Sequence, residues 1–171
     1  MNYLFETRRL GVRRFQQSDV SKIYMHHKEE SLKKWIPNES YETIDEAREA
    51  IEFFNENSDE GELPFVLAIE LKENNELIGD AGINESPGGI EIGYSICEAY
   101  QGNGYATEAL QGFTKYAVQN FSFTELYGRV VQGNNASCRV LEKAGYKYVN
   151  EEFDADDDPY GKGMLVYKLE V

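Results

Sequence analysis

The sequence predicts an α+β fold on one mixed sheet, with about seven strands flanked by about four helices. Three observations carry that expectation. Apolar residues recur at period two in short runs and at helical period in longer ones, and no low-complexity segment, internal repeat or long linker interrupts them. In the middle of the chain three strand-like runs follow one another across short turns, as in an antiparallel meander. A long helical run then separates two further strand-like runs, and a strand, helix, strand crossover joins parallel strands.

Taken in order, LGVRRF (10–15) reads as a strand and SDVSKIYMHH (18–27) as a helix that Ser18 or Asp19 can cap. In TIDEAREAIEFF (43–54), Thr43 and Glu46 form a capping box, while Ala47, Ile51 and Phe54 fall at helical spacing. LPFVLAIEL (63–71), ELIGDAGI (76–83) and GIEIGYSI (89–96) are the meander, separated by the turn residues KENN and ESPGG. GYATEALQGFTKYAVQNF (104–121) is a helix of about five turns with Ala106, Leu110, Phe113 and Ala117 on one face. ELYGRVV (125–131) returns as a strand, and ASCRVLEKAG (136–145) is a short helix stopped by Gly145. YKYVNEEF (146–153) and KGMLVYKL (162–169) close the sheet as a hairpin.

With 171 residues, 41% hydrophobic and 13% aromatic, the chain can bury one core, so residues 1–171 are read as a single domain. No signal peptide or apolar run of roughly 18 residues is present, which predicts a soluble, cytoplasmic protein without membrane contact. Cys97 and Cys138 lack CxxC spacing and histidines at ligand spacing, so buried reduced thiols are expected and no metal site. The net charge of −14 argues against a nucleic-acid partner, since duplex binding needs cations against phosphates. A cationic partner fits better, although acidity alone also describes a solvated surface.

The stretch AYQGNGYATEAL (99–110) concentrates glycines where a strand hands over to the long helix. A helix start leaves its first N–H groups without partners and attracts anions, and glycines let a phosphate approach the backbone closely. A Walker loop would need Gly-Lys-Ser/Thr, and the dinucleotide fingerprint would need glycine where Thr107 stands. What remains is Q-x-x-G-x-A, formed by Gln101, Gly104 and Ala106.

With that pattern, and with IEIGYSI, YGRVVQGNNASCRVLEKAGY and the N-terminal TRRLGVRRFQQSD, the chain resembles the GNAT superfamily of acetyl-CoA-dependent N-acyltransferases. The layout is similar to the branch containing the ribosomal-protein alanine and spermidine acetyltransferases. The resemblance implies a splayed pair of parallel strands that receives the pantetheine of acetyl-CoA or coenzyme A. It assigns cofactor contacts to Tyr94, Ser95 and Ile96, largely through main chain, and to the pyrophosphate loop Gln101, Gly102, Asn103, Gly104, Tyr105, Ala106 and Thr107. Asn134 joins them, although capping the helix that carries Ser137 would account for it by itself.

The implied reaction is direct attack of a primary amine on the thioester. The acceptor would be a polyamine, another small cationic amine or a protein N-terminus. An alkylammonium with a pKa near 10.4 must first lose a proton, so a base is needed. Glu91 is the first candidate, on the opposite face of its strand from Ile90, Ile92 and Tyr94. Asp80 and Glu70 are alternatives on neighbouring strands. Many members of the family use a tyrosine as acid on the helix after the second parallel strand, but Leu141 stands at that place. Ser137, one turn earlier, is the substitute. The run Asp154, Asp156, Asp157 and Asp158 falls in the closing hairpin, which the resemblance sets beside the acceptor. A coenzyme A binding or sensing module without turnover is the competing reading. Nothing in the sequence fixes whether the chain acts alone or as a homodimer.

Overall fold

The computed structural model describes residues 2–171. Among these, one sheet of eight strands runs in the order β1-β2-β3-β4-β5-β6-β8-β7. The strands are β1 (Phe5–Glu6), β2 (Leu10–Arg13), β3 (Phe65–Leu71), β4 (Glu76–Ser86), β5 (Gly89–Ile96), β6 (Glu125–Val131), β7 (Lys147–Glu152) and β8 (Met164–Glu170). The helices are α1 (Val20–His26), α2 (Glu30–Trp35), α3 (Ile44–Glu60), α4 (Tyr105–Asn120) and α5 (Asn135–Lys143). The fold class is as expected, with one more strand and one more helix among the described residues. β1 has two residues and α2 six, too few to display a period.

β3, β4 and β5 form the antiparallel meander, and β8 lies between β6 and β7. β5 and β6 are parallel, but a single pair, Glu91 with Tyr127, joins them. Beyond it, towards Ile96 and Val131, the two strands separate, and the sheet opens as a V.

Both faces of the sheet are covered, which is why β3 reads as a continuous apolar run. Phe65, Leu67, Ile69 and Leu71 pack with Leu110, Phe113 and Ala117 of α4, while Val66 and Ala68 meet α1 and α3 through Ile23, Ala47 and Ile51. Local chemistry sets the ends of α3. The Thr43 side chain accepts from the Glu46 N–H at 3.2 Å, and Gly61 ends the helix at φ +72°.

Glu70 is fully buried and belongs to structure, away from the V. It receives Arg13 Nε at 2.6 Å and the Tyr3 hydroxyl at 2.7 Å, and Arg13 also reaches Asp19 at 2.7 Å. Its candidacy as a base is thereby set aside, because its lone pairs are committed to a buried cation. Cys97 and Cys138 are free and buried.

Candidate active site

A cleft of about 1360 Å³ runs along the V from the start of α4 to the segment between α2 and α3. At its first end, a short turn (Glu98–Tyr100) leads from β5 into the glycine loop. Gly102 and Gly104 have φ of +80° and +81°, in the left-handed region that favours glycine. A Cβ at Gly102 would meet nothing within 4 Å, so this side of the loop is open. Gly104 is the N-cap of α4 and gives no side-chain cap, so the first amides of the helix have no such partner.

The loop's polar side chains brace it from behind. Gln101 Nε2 donates to the Ile96 carbonyl at 2.9 Å, and Asn103 Nδ2 donates to the Tyr100 and Gln101 carbonyls. Arg9 also takes part, which sequence reasoning did not find. It pairs with Glu108 at 2.7 Å, donates to the Asn103 carbonyl at 2.9 Å and lies 4.4 Å over the Tyr105 ring. Its only sequence signal was membership of the TRRL segment.

In the V, alternation along β5 separates two chemistries. Tyr94 packs on the α4 and α5 face, and its hydroxyl lies 3.0 Å from Ser137 Oγ at the first turn of α5. Burial raises the Tyr94 hydroxyl above its usual range, with the Ser137 bond opposing. Asn134 Oδ1 accepts from the Ser137 N–H at 3.3 Å, as a cap does. Leu141 is buried against β6, where a Cβ at Gly128 would fall 2.5 Å from it. Ala106, Thr107 and Ile96 also line the cleft.

The other face carries the carboxylates. Ser95 turns its side chain there, giving its hydroxyl hydrogen to Asp80 at 2.8 Å and meeting His26 Nε2 at 2.8 Å. His27 Nε2 lies 2.8 Å from Asp80, and His27 Nδ1 lies 2.7 Å from the Glu39 carbonyl. Burial works against a charge on His27, but the Asp80 carboxylate and both hydrogen bonds lift it to about 9. Asp80 is lowered despite burial, chiefly by His27. Glu91 faces Arg129 at 3.5 Å, and Arg129 also holds Glu152 at 2.7 Å and Asp157. Burial raises the Glu91 carboxyl and Arg129 pulls it back.

Two of the four aspartates in the closing hairpin are therefore committed within the fold. Asp157 grips Arg129, and Asp158 accepts from the N–H groups of Tyr160, Gly161 and Gly163. Sequence reasoning also missed His26, His27 and Glu39. HH and PNE are short, and only the fold brings them to β4 and β5.

Residues 9–147 match the sequence profile of the family described as "Acetyltransferase (GNAT) domain". The chain is 26% identical over 163 residues to "Uncharacterized N-acetyltransferase p20" of Bacillus licheniformis, covering 94% of this chain and 89% of the other. It is 26% identical to "Uncharacterized N-acetyltransferase YoaA" of Bacillus subtilis, over 84% and 82% of the two chains. Its fold is similar to an acetyltransferase (GNAT family) from Bacillus anthracis, with a TM-score of 0.80 at 22% identity over 96% of each chain. It is likewise similar to the ribosomal-protein-S5-alanine acetyltransferase from Vibrio fischeri, with a TM-score of 0.81 at 19% identity over 97% and 95%. Mycobacterium smegmatis RimJ, in complex with a CoA-disulfide, has a TM-score of 0.78 at 18% identity over 95% and 82%.

Proposed function

The chain belongs to the GNAT acetyltransferase family, and we propose that it transfers the acetyl group of acetyl-CoA to a primary amine within the V between β5 and β6. The acceptor class comprises small cationic amines, polyamines and protein N-termini. The observation that carries this reading is the alignment of an open, left-handed glycine loop at the start of α4 with a parallel strand pair joined at one position only.

The residues fit acetyl-CoA. Amides of Gly102 to Thr107 would take its pyrophosphate, helped by the partial positive charge of the α4 N-terminus and by Arg9 behind the loop. This binds an anion on a chain of net charge −14. Tyr94, Ser95 and Ile96 would meet pantetheine along the β5 edge that β6 leaves free, and Asn134 would border it from the start of α5. The donor binds from the α4 and α5 face, and the acceptor enters from the face of Asp80, Glu91 and His27.

The net reaction converts an ammonium and a thioester into an amide, a thiol and one proton. One proton must therefore leave the acceptor before attack, and a second must reach the departing sulfur. Tyr94 and Ser137, hydrogen-bonded to each other, are suited to deliver the second. Glu91 and Asp80 lie on the face that would receive the first, each already facing a cation. A strand N–H near Ile96 would serve the developing oxyanion.

A panel of primary amines with acetyl-CoA, read by thiol release and by mass of the acetylated amine, tests the proposal. Acetylation of at least one amine is expected. Binding of acetyl-CoA with no transfer to any amine would favour a coenzyme A sensing module instead.

A further inference from the structure

The carboxylates on the acceptor side are not equivalent. Asp80 is held by His27 and Ser95, each at 2.8 Å. Glu91 faces Arg129. Glu39, on the short turn Pro37–Glu39 that follows α2, also lines the cleft, yet its carboxylate has no ion pair or hydrogen bond among the described residues. Its backbone is nevertheless fixed, because its carbonyl is bonded to His27 and so tied to β4. The same end of the cleft also offers apolar surface: Trp35, Ile36, Tyr41, Phe53 and Phe54 line it from α2, α3 and the segment between them.

We propose, resting on the acetyl-transfer reading above, that the acceptor is a monoamine whose ammonium pairs with Glu39 and whose apolar or aromatic body lies against Trp35, Tyr41 and Phe54. Glu39 is the catalytic base for this acceptor. The N–H bond of the ammonium breaks, its proton passes to a Glu39 carboxylate oxygen and on to solvent at the cleft mouth, and the freed lone pair attacks the thioester carbonyl. The second N–H proton leaves with the sulfur as thiol, so that one proton is released in total.

The environment of Glu39 suits this task. Although the residue as a whole is exposed, desolvation of its carboxylate in the cleft and the charges of Asp80 and Glu91 push its carboxyl up, His27 opposes, and it lies at about 7. A base so placed is substantially ionised near neutrality and still accepts a proton readily. The same arrangement selects against polyamines. Their further ammonium groups would have to leave water for the wall of Trp35, Tyr41 and Phe54, where cation–π contact offsets only part of the desolvation. The hairpin aspartates at the cleft cannot all compensate, because Asp157 and Asp158 are committed elsewhere.

The test compares 2-phenylethylamine, hexylamine, putrescine and spermidine as acceptors, with calorimetric binding of 2-phenylethylamine in the presence of CoA alongside. The expected kcat/KM for 2-phenylethylamine exceeds that for spermidine by about tenfold or more. It should rise with pH through about 7 as Glu39 ionises. Glu39→Gln should lower it by about tenfold or more, remove that acidic limb and leave the Kd for acetyl-CoA unchanged. Glu91→Gln should retain the limb. A preference for spermidine, or a Glu39→Gln variant with the wild-type rate and pH limb, overturns the proposal. If no amine is acetylated, acetyl transfer itself fails and binding decides. Loss of 2-phenylethylamine affinity in Glu39→Gln upholds the ammonium site, while unchanged affinity, or no binding to the wild type, overturns it.

Discussion

At the scale of single residues, the cleft divides into positions that work through backbone and positions that work through side chains. Gly104 is of the first kind. Valine there would be forced to φ near +81°, with its Cβ 3.4 Å from Arg9 Nη2. Gly104→Val should therefore weaken acetyl-CoA binding by about tenfold or more while the far-ultraviolet circular dichroism is retained. Calorimetry on the folded variant checks it, and an unchanged Kd removes the loop from the donor site. Tyr94 and Ser137 are of the second kind. If their hydroxyl pair protonates the leaving sulfur, Tyr94→Phe should reduce kcat by about tenfold or more and leave the Kd for acetyl-CoA nearly constant. Ser137→Ala, which leaves the phenol in place, should do so less. A larger loss in Ser137→Ala than in Tyr94→Phe would make the serine the immediate donor.

At the scale of elements, the consequential contact is between the C-terminal end of α1 and strands β4 and β5. His26 and His27 are consecutive, yet one meets Ser95 and the other Asp80. Both are buried, so this clamp positions the segment that carries Glu39. It also makes stability depend on pH in a calculable direction. His27 is raised from 6.5 to about 9, so its contribution is fully present below pH 6.5 and is lost as pH climbs through 9. Asp80 is lowered from 3.8, so its contribution is present above that value and is lost on acidification. The midpoint of urea denaturation of the wild type should fall between pH 6.5 and 9, and the fall should be reduced in His27→Gln. An identical slope in the two proteins would show that the imidazole is neutral in the folded state.

At the scale of the whole molecule, the net charge of −14 is not gathered into four free aspartates on the closing hairpin. Asp157 and Asp158 are structural acceptors, and among the four hairpin aspartates only Asp154 and Asp156 remain for the solvent field. Exposed carboxylates are screened over about 8 Å at physiological salt and contribute about 1 kcal/mol or less each. Replacing Asp154 and Asp156 together by Asn should therefore change KM for any amine by less than about twofold. Asp157→Asn should do more, because it releases Arg129 towards Glu91 and alters the acceptor face. Salt-dependence of KM in the two variants separates these expectations. If the double variant instead raises KM for amines severalfold, long-range attraction matters after all.

The sequence by itself determined whatever depends on neighbours along the chain. Thr43 with Glu46, Asn134 with Ser137, and Gly104 at the mouth of α4 act within a few residues, so the meander, the crossover and the open loop could all be read from their spacing. The face of Glu91 followed from strand alternation alone. Tertiary structure decided the pairings between residues far apart in the chain. Arg9 reaches Glu108 across 99 residues, His27 reaches Asp80 across 53, and Arg129 reaches Asp157 across 28. Each pairing joins one cation to one of many available carboxylates, and in a chain with 31 acidic residues and 17 basic ones composition cannot select the partner. Packing selects it, because burying a charge is costly unless its partner is brought to it by the same fold. For that reason Glu39, a cleft carboxylate without an ion pair or hydrogen bond among the described residues, became visible only once Asp80 and Glu91 had been matched to His27 and Arg129.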